Sequence, residues 1–145
     1  MSQPLPDAAL DVLFRTARTS NCYLDKSVTT EQLHAIWELV KFGPTAANML
    51  PARIVWCVSQ DAKDKLAALA TGSNAERIRN APVTAIIGMD IDFHENLPWL
   101  FPHKPAMKDV FTDITAREVM ALRNSSLQAG YLILAARALI NRSDR

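Results

Sequence analysis

Apolar residues recur at helical spacing in several stretches of this chain and in short unbroken runs in two others. Leu10, Leu13, Phe14 and Ala17 stand at i, i+3, i+4 and i+7, one stripe on a helix over Asp7 to Arg18. Leu33, Ile36, Trp37 and Val40 repeat the stripe. Thr29 opens that second helix with capping-box spacing to Gln32, and Glu31 adds negative charge to its first turn. His34 lies off the stripe and is expected to face solvent. Gly43-Pro44 stops the helix, because proline lacks an amide hydrogen and restricts the residue before it. Ile54 to Val58 is apolar and partly β-branched, which predicts a buried strand, and Val83 to Gly88 predicts a second. Between them, Asp61 to Ala70 reads as an amphipathic connecting helix capped by Asp61. Thr71 to Asn74 reads as a turn and Ala75 to Asn80 as a short helical piece. Strands joined through helices, with further helices before and after, give a mixed plan in which strand direction stays open.

Asp90 to Thr112 breaks the pattern. Pro98, Pro102 and Pro105 rule out a long helix, while Phe93, Leu97, Trp99, Leu100, Phe101 and Phe111 are apolar. Such a segment is either a ligand wall or a surface excursion packed by its own side chains. Asp90, Asp92, His94 and Glu95 are metal ligands by type, but their spacing fits no metal template, and a solvated acidic turn is the expectation. Ala116 to Leu139 predicts the longest helix. Its second half, Ala129 to Ile140, is apolar on nearly every face, so it requires cover on all sides, and a second copy of the chain is the natural source. Asn124, Ser125, Ser126 and Gln128 interrupt this helix with polar groups that need partners, across a dimer or on a cofactor, with structural pairing favoured.

Composition narrows the function. At 145 residues a single domain, 1–145, is expected. A net charge of +1 gives no electrostatic case for nucleic acid or an anionic membrane. No apolar run reaches a membrane span, and Met1 to Asp7 lacks the basic and apolar regions of a signal peptide, so a cytoplasmic site is expected. Cys57 falls in the first strand as a core residue. Cys22 falls in a loop with no base suggested nearby, so neither is expected to be a catalytic thiol. No Ser/His/Asp set and no paired carboxylates stand out, and no catalytic side chain or metal ligand is proposed. Thr71-Gly72-Ser73-Asn74 has too little glycine for a phosphate loop or a dinucleotide fingerprint.

The stretch Gly43 to Val58 organises the remaining chemistry. A helix end, a loop bearing Asn48 and a strand together make a place to hold a flat ligand, with loop backbone groups and the Asn48 amide as hydrogen-bonding partners. At the end of the first helix, Arg15, Arg18, Thr19, Ser20 and Asn21 admit two readings. One is a fraying terminus whose basic residues complement the helix dipole; the other is a phosphate site built from a guanidinium and short polar groups.

The pattern Pro44, Thr45, Ala46, Asn48, Pro51 and Arg53 resembles the flavin-binding signature of the nitroreductase family. Arg18-Thr19-x-Asn21 and the run Arg123-Asn124-Ser125-Ser126-Leu127-Gln128 resemble the branch that includes the malonic semialdehyde reductase of bacterial uracil breakdown. The likeness runs from about Leu13 to Leu139. It implies an α+β fold with a mixed sheet flanked by helices and a long buried helix at a homodimer interface. It also implies FMN as cofactor, NADH or NADPH as electron donor, and a small-molecule acceptor: malonic semialdehyde, or more loosely nitro compounds and quinones. In this resemblance Arg18, Thr19 and Asn21 hold the ribityl phosphate, Pro44, Thr45 and Ala46 line the ring through their backbone, and Asn48 bonds its polar edge. Phe101 and His103 fall over the substrate face. Two departures stand out: Ala17 replaces an arginine found in many members, and Asn21 replaces a basic residue. The family pattern continues past the long helix to a glycine-containing loop, whereas this sequence reads Ile140-Asn141-Arg142-Ser143-Asp144-Arg145. A member shortened at its C-terminus is therefore expected, with a non-catalytic dimerisation module that holds no flavin as the alternative.

Overall fold

A computed structural model of the chain describes residues 3–20 and 22–139. Asn21 and the tail after Leu139 lie outside the described residues. The chain divides into two compact units. One contains the described residues of Met1–Trp37, Trp56–Thr84 and Ile133–Arg145; the other is Glu38–Val55 with Ala85–Leu132.

In the first unit, α1 (Asp7–Leu10) runs directly into a π-helical turn, Asp11–Arg15. The helix expected to reach Arg18 thus ends a turn early. Its last turn widens, and the backbone N–H and hydroxyl of Thr16 both bond Asp11 O. Arg137 donates to Leu13 O at 3.0 Å, so the arginine that interrupts the apolar C-terminal stretch ties down this turn. α2 (Thr30–Val40) opens on the capping box: Thr29 N–H donates to Gln32 Oε1 at 2.9 Å, and Gln32 N–H donates to Thr29 Oγ1 at 3.3 Å. Leu33, Ile36 and Val40 are buried and His34 is exposed, whereas Trp37, assigned to the stripe, is 38% exposed. α3 (Gln60–Ala67) is capped by Ser59, whose hydroxyl accepts from Ala62 N–H; the cap lies two residues before the expected Asp61. Asp61 instead pairs with Lys65 one turn on. α4 (Ser73–Asn80) follows Gly72, whose φ of 59° suits glycine. Lys63, buried on α3, donates to Ala81 O at 2.9 Å, placing a cation at the C-terminal end of α4.

β1 (Ala52–Cys57) and β2 (Thr84–Met89) form a two-stranded sheet. Asp90 N–H donates to Pro51 O at 2.8 Å, so the end of β2 lies beside the start of β1 and the pair is antiparallel. Neither strand is buried on both faces as its apolar run suggested. Ala52 and Cys57 are buried, but Val55 is 57% exposed, and Ile86, Ile87 and Met89 are exposed on β2.

The second unit has its core in the segment expected to be irregular. Two 3₁₀ turns, Phe93–Asn96 and Pro105–Val110, flank α5 (Leu97–Leu100), which carries Pro98 in its first turn, where proline is tolerated. Phe93 and Leu97 are fully buried with Met49 and Ala121, and Phe101, Met107 and Phe111 pack against them. The Phe93 and Phe111 rings meet edge to face at 5.1 Å. The segment is thus packed by its own side chains together with Met49 and Ala121 from outside it. α6 (Ile114–Leu139) is the longest helix. One face is buried through Ala121, Asn124, Ser125, Gln128, Leu132 and Ala135, while Leu122, Leu127 and Ile133 are each more than half exposed. No helix among the described residues is long and apolar enough to cross a membrane.

Candidate functional site

The loop between α2 and β1 is the most constrained backbone in the second unit. Ala47, Asn48 and Leu50 have φ values of 48°, 51° and 40°. Asparagine tolerates the left-handed region; alanine and leucine do so at a cost of about 1 kcal/mol or more each. Such conformations persist only where the surroundings over-determine them.

Those surroundings are specific. Thr45 Oγ1 accepts from Leu50 N–H at 3.2 Å across the turn. Asn48 N–H donates to Thr45 O and Met49 N–H to Ala46 O, each at 3.1 Å, closing a short 3₁₀ turn over Ala46–Asn48. Met49 is sunk in the core with Phe93 and Leu97. The Asn48 amide donates to Leu100 O at 2.9 Å, which joins the loop to α5. From α6, Asn124 Oδ1 accepts from Ala46 N–H and Gln128 Oε1 accepts from Ala52 N–H, both at 2.9 Å. Pro44, Ala46 and Asn48 remain exposed. The result is a platform of small, exposed residues held in place by these bonds.

Phe101 and His103 follow Leu100 directly, with ring centroids 4.0 Å apart. Asn48, Phe101 and His103 are therefore brought into one neighbourhood by the Asn48–Leu100 bond. The acidic residues nearby are spent on ion pairs: Asp90 on Arg53, and Asp92 on Arg117 at 2.9 Å. Arg117 also contacts the His94 ring.

The other sequence-derived set belongs to the first unit. Arg18 and Thr19 are exposed, and Arg18 donates to Arg15 O and Ala17 O at 3.1 and 2.7 Å. Arg15 is committed elsewhere: it bonds Asp7 at 2.6 Å and Asp11 at 2.9 Å. The hydrogen bond to Asp7, aided by the Asp11 charge, raises its pKa and holds it cationic. Asn21 lies outside the described residues.

Sequence reasoning missed the part played by Asn124 and Gln128. Their polarity in an apolar helix was visible and structural pairing was favoured, but across a dimer or on a cofactor rather than within the chain. The structure gives them loop N–H groups of their own chain. Two amides four residues apart on one helix face were the available signal.

No family model matches the chain. Over 139 residues it is 55% identical to a Stenotrophomonas maltophilia protein with the provisional name NADH dehydrogenase/NAD(P)H nitroreductase, covering 96% of this chain and 71% of that protein. A Caulobacter protein of the same provisional name is 56% identical over 135 residues, covering 93% and 69%. Among solved structures, one described provisionally as a nitroreductase in complex with FMN, from Exiguobacterium sibiricum, superposes with a TM-score of 0.82 at 20% identity, covering 96% of this chain and 73% of that one. A Bacillus subtilis protein of similar description gives 0.77 at 20% identity, covering 92% and 72%. The structural likenesses establish the fold, and more than half of all positions shared with relatives covered over two thirds of their length establish kinship: the chain belongs to the nitroreductase family.

Proposed function

We propose that this chain is a cytoplasmic FMN-dependent NAD(P)H oxidoreductase that reduces a small aldehyde, malonic semialdehyde to 3-hydroxypropionate, or, more loosely, nitro compounds or quinones. The observation that carries the reading is the loop 45–50: three left-handed residues fixed from several sides, with small exposed neighbours at Pro44 and Ala46. A rigid, low-relief surface of this kind fits one edge and face of a planar ring, so the residues present suit the cofactor. FMN, when bound, takes hydride from NAD(P)H and delivers it to the acceptor. The chain's part is to bind, orient and exclude water. Pro44, Thr45 and Ala46 supply backbone against the ring, Asn48 an amide at its polar edge, and Arg18, Thr19 and Asn21 the groups that hold the phosphate. Phe101 and His103 supply an apolar wall and one imidazole for a small acceptor.

Two copies are part of the proposal. Leu122 and Ile133, three turns apart on one side of α6, are each more than half exposed, and covering them with the same helix of a second copy removes them from water. The closest reading of a different kind is the dimer without the enzyme. The same exposed apolar residues favour it.

The deciding experiment is an absorbance spectrum after incubation with FMN and dialysis, followed by an NAD(P)H oxidation assay with malonic semialdehyde. A retained flavin band and turnover support the oxidoreductase. A folded dimer with no flavin band supports the dimerisation module and overturns the enzyme.

A further inference from the structure

Asn124 and Gln128 stand at i and i+4 on α6 and reach the two ends of the strained loop. Asn124 Oδ1 accepts from Ala46 N–H and Gln128 Oε1 accepts from Ala52 N–H. Every left-handed non-glycine residue described lies between those two points, at positions 47, 48 and 50. Both amides are buried, Asn124 at 4% and Gln128 at 1% exposure.

Their orientations are fixed by chemistry. A backbone N–H needs an acceptor, so each side chain must turn its oxygen to the loop. Asn124 places its nitrogen well, donating to Met120 O at 2.8 Å. Gln128 does not: its Nε2 is buried and has no partner among the described residues. A buried, unpartnered amide nitrogen is costly, and an apolar side chain at 128 would avoid that cost. What an apolar side chain cannot do is accept the Ala52 N–H. The amide is retained at a penalty to stability in exchange for the position of the loop.

We propose that Asn124 and Gln128 are positioning residues that clamp the loop 46–52 in its strained form, and that the clamp sets the chain's affinity for flavin. This rests on the FMN reading above. Neither side chain needs to touch the cofactor; each acts through one backbone N–H.

The test has one arm that needs no flavin. In the wild-type protein, the Ala46 and Ala52 amides should exchange with deuterium far more slowly than an exposed loop amide. Asn124→Ala should release Ala46, and Gln128→Ala should release Ala52, with circular dichroism unchanged. In the second arm, FMN titration should show each variant weakened by about tenfold or more. Lys65→Ala, on the exposed face of α3 where the ammonium pairs with Asp61, should bind as the wild type does. Fast exchange of Ala46 and Ala52 in the wild type overturns the clamp without any variant. Released amides with unchanged FMN affinity overturn its role in flavin binding. A wild-type protein that binds no FMN defeats the flavin reading, and the exchange arm still decides whether the clamp exists.

Discussion

The guanidinium of Arg53, on β1, pairs with the carboxylate of Asp90, one residue beyond the end of β2. The same arginine donates to Leu50 O at 3.1 Å and Ala52 O at 3.0 Å. It therefore fastens the last left-handed residue of the loop to the sheet. Arg53 is 52% exposed, so the ion pair alone is screened. Arg53→Ala, which also loses both carbonyl contacts, is expected to lower the unfolding free energy by about 1 kcal/mol. Asp90→Asn, which keeps an acceptor for Arg53, should cost less. Urea denaturation of the three proteins checks this order; equal midpoints for wild type and Arg53→Ala would show that the pair does nothing.

Gly43 stops α2, and the structure adds a second reason for glycine there. A Cβ at this position would lie 2.9 Å from Tyr131 Cγ and 3.1 Å from Val40 O. Gly43→Ala should destabilise by about 1–3 kcal/mol through overpacking. Tyr131→Ala in the same chain should recover part of that loss, but not all, because the carbonyl contact remains. A double-mutant cycle measures the coupling. Strict additivity would mean that the ring moves aside freely.

How much of this was legible follows from what periodicity encodes. The helices Thr30–Val40 and Ile114–Leu139 were readable because their buried faces repeat every turn, and the Thr29–Gln32 box marked an entry point. Caps elsewhere were less so: Ser59 and Asp61 both suit an N-cap, and only the extended backbone at Ser59 selects it. β1 begins at Ala52, before the apolar run, because a strand is defined by backbone pairing that hydrophobicity does not record. The signature residues Pro44, Thr45, Ala46 and Asn48 drew attention to this loop, but its strain was hidden, since Ala47 and Leu50 give no sign of a left-handed backbone. The clamp was hidden as well. Ala46 and Asn124 are 78 residues apart, and a buried amide does not name its partner. The apolar side chains of Asp90 to Thr112 showed that the segment packs, but not that it closes on Met49 of the loop.

Asn48 combines a left-handed backbone with a side-chain bond to Leu100 O, and two substitutions separate these roles. Asn48→Gly loses the bond but tolerates φ of 51°. Asn48→Ala loses the bond and adds a Cβ penalty. Asn48→Ala should therefore be less stable than Asn48→Gly by about 1 kcal/mol. Both should weaken FMN binding in the titration that tests the proposed function. The thermal midpoints decide the first point; a more stable alanine variant would show that the turn relaxes once the Leu100 bond is gone.

Glu31 gives the chain a stability contribution with a defined pH sign. Its pKa is lowered from 4.5, first by the hydrogen bond from its own backbone N–H in the opening turn of α2, then by the Thr29 hydroxyl. The folded state holds this proton less tightly than the unfolded one. Stability from the charged carboxylate is thus fully present above the ordinary glutamate value of 4.5 and is lost as pH falls through the lower folded value. Glu31→Gln should be less stable than wild type at neutral pH, and the gap should close as the pH drops below that range. Thr29→Ala should move the Glu31 titration back toward 4.5, because the hydroxyl is its second support. It should also destabilise α2 by about 1 kcal/mol, since Thr29 accepts from Gln32 N–H as the cap. Carboxyl chemical shifts followed through an acid titration, beside denaturation curves at each pH, measure both effects. A Glu31 titration unmoved by Thr29→Ala would leave the backbone N–H, with a smaller contribution from His34, as the cause of the shift.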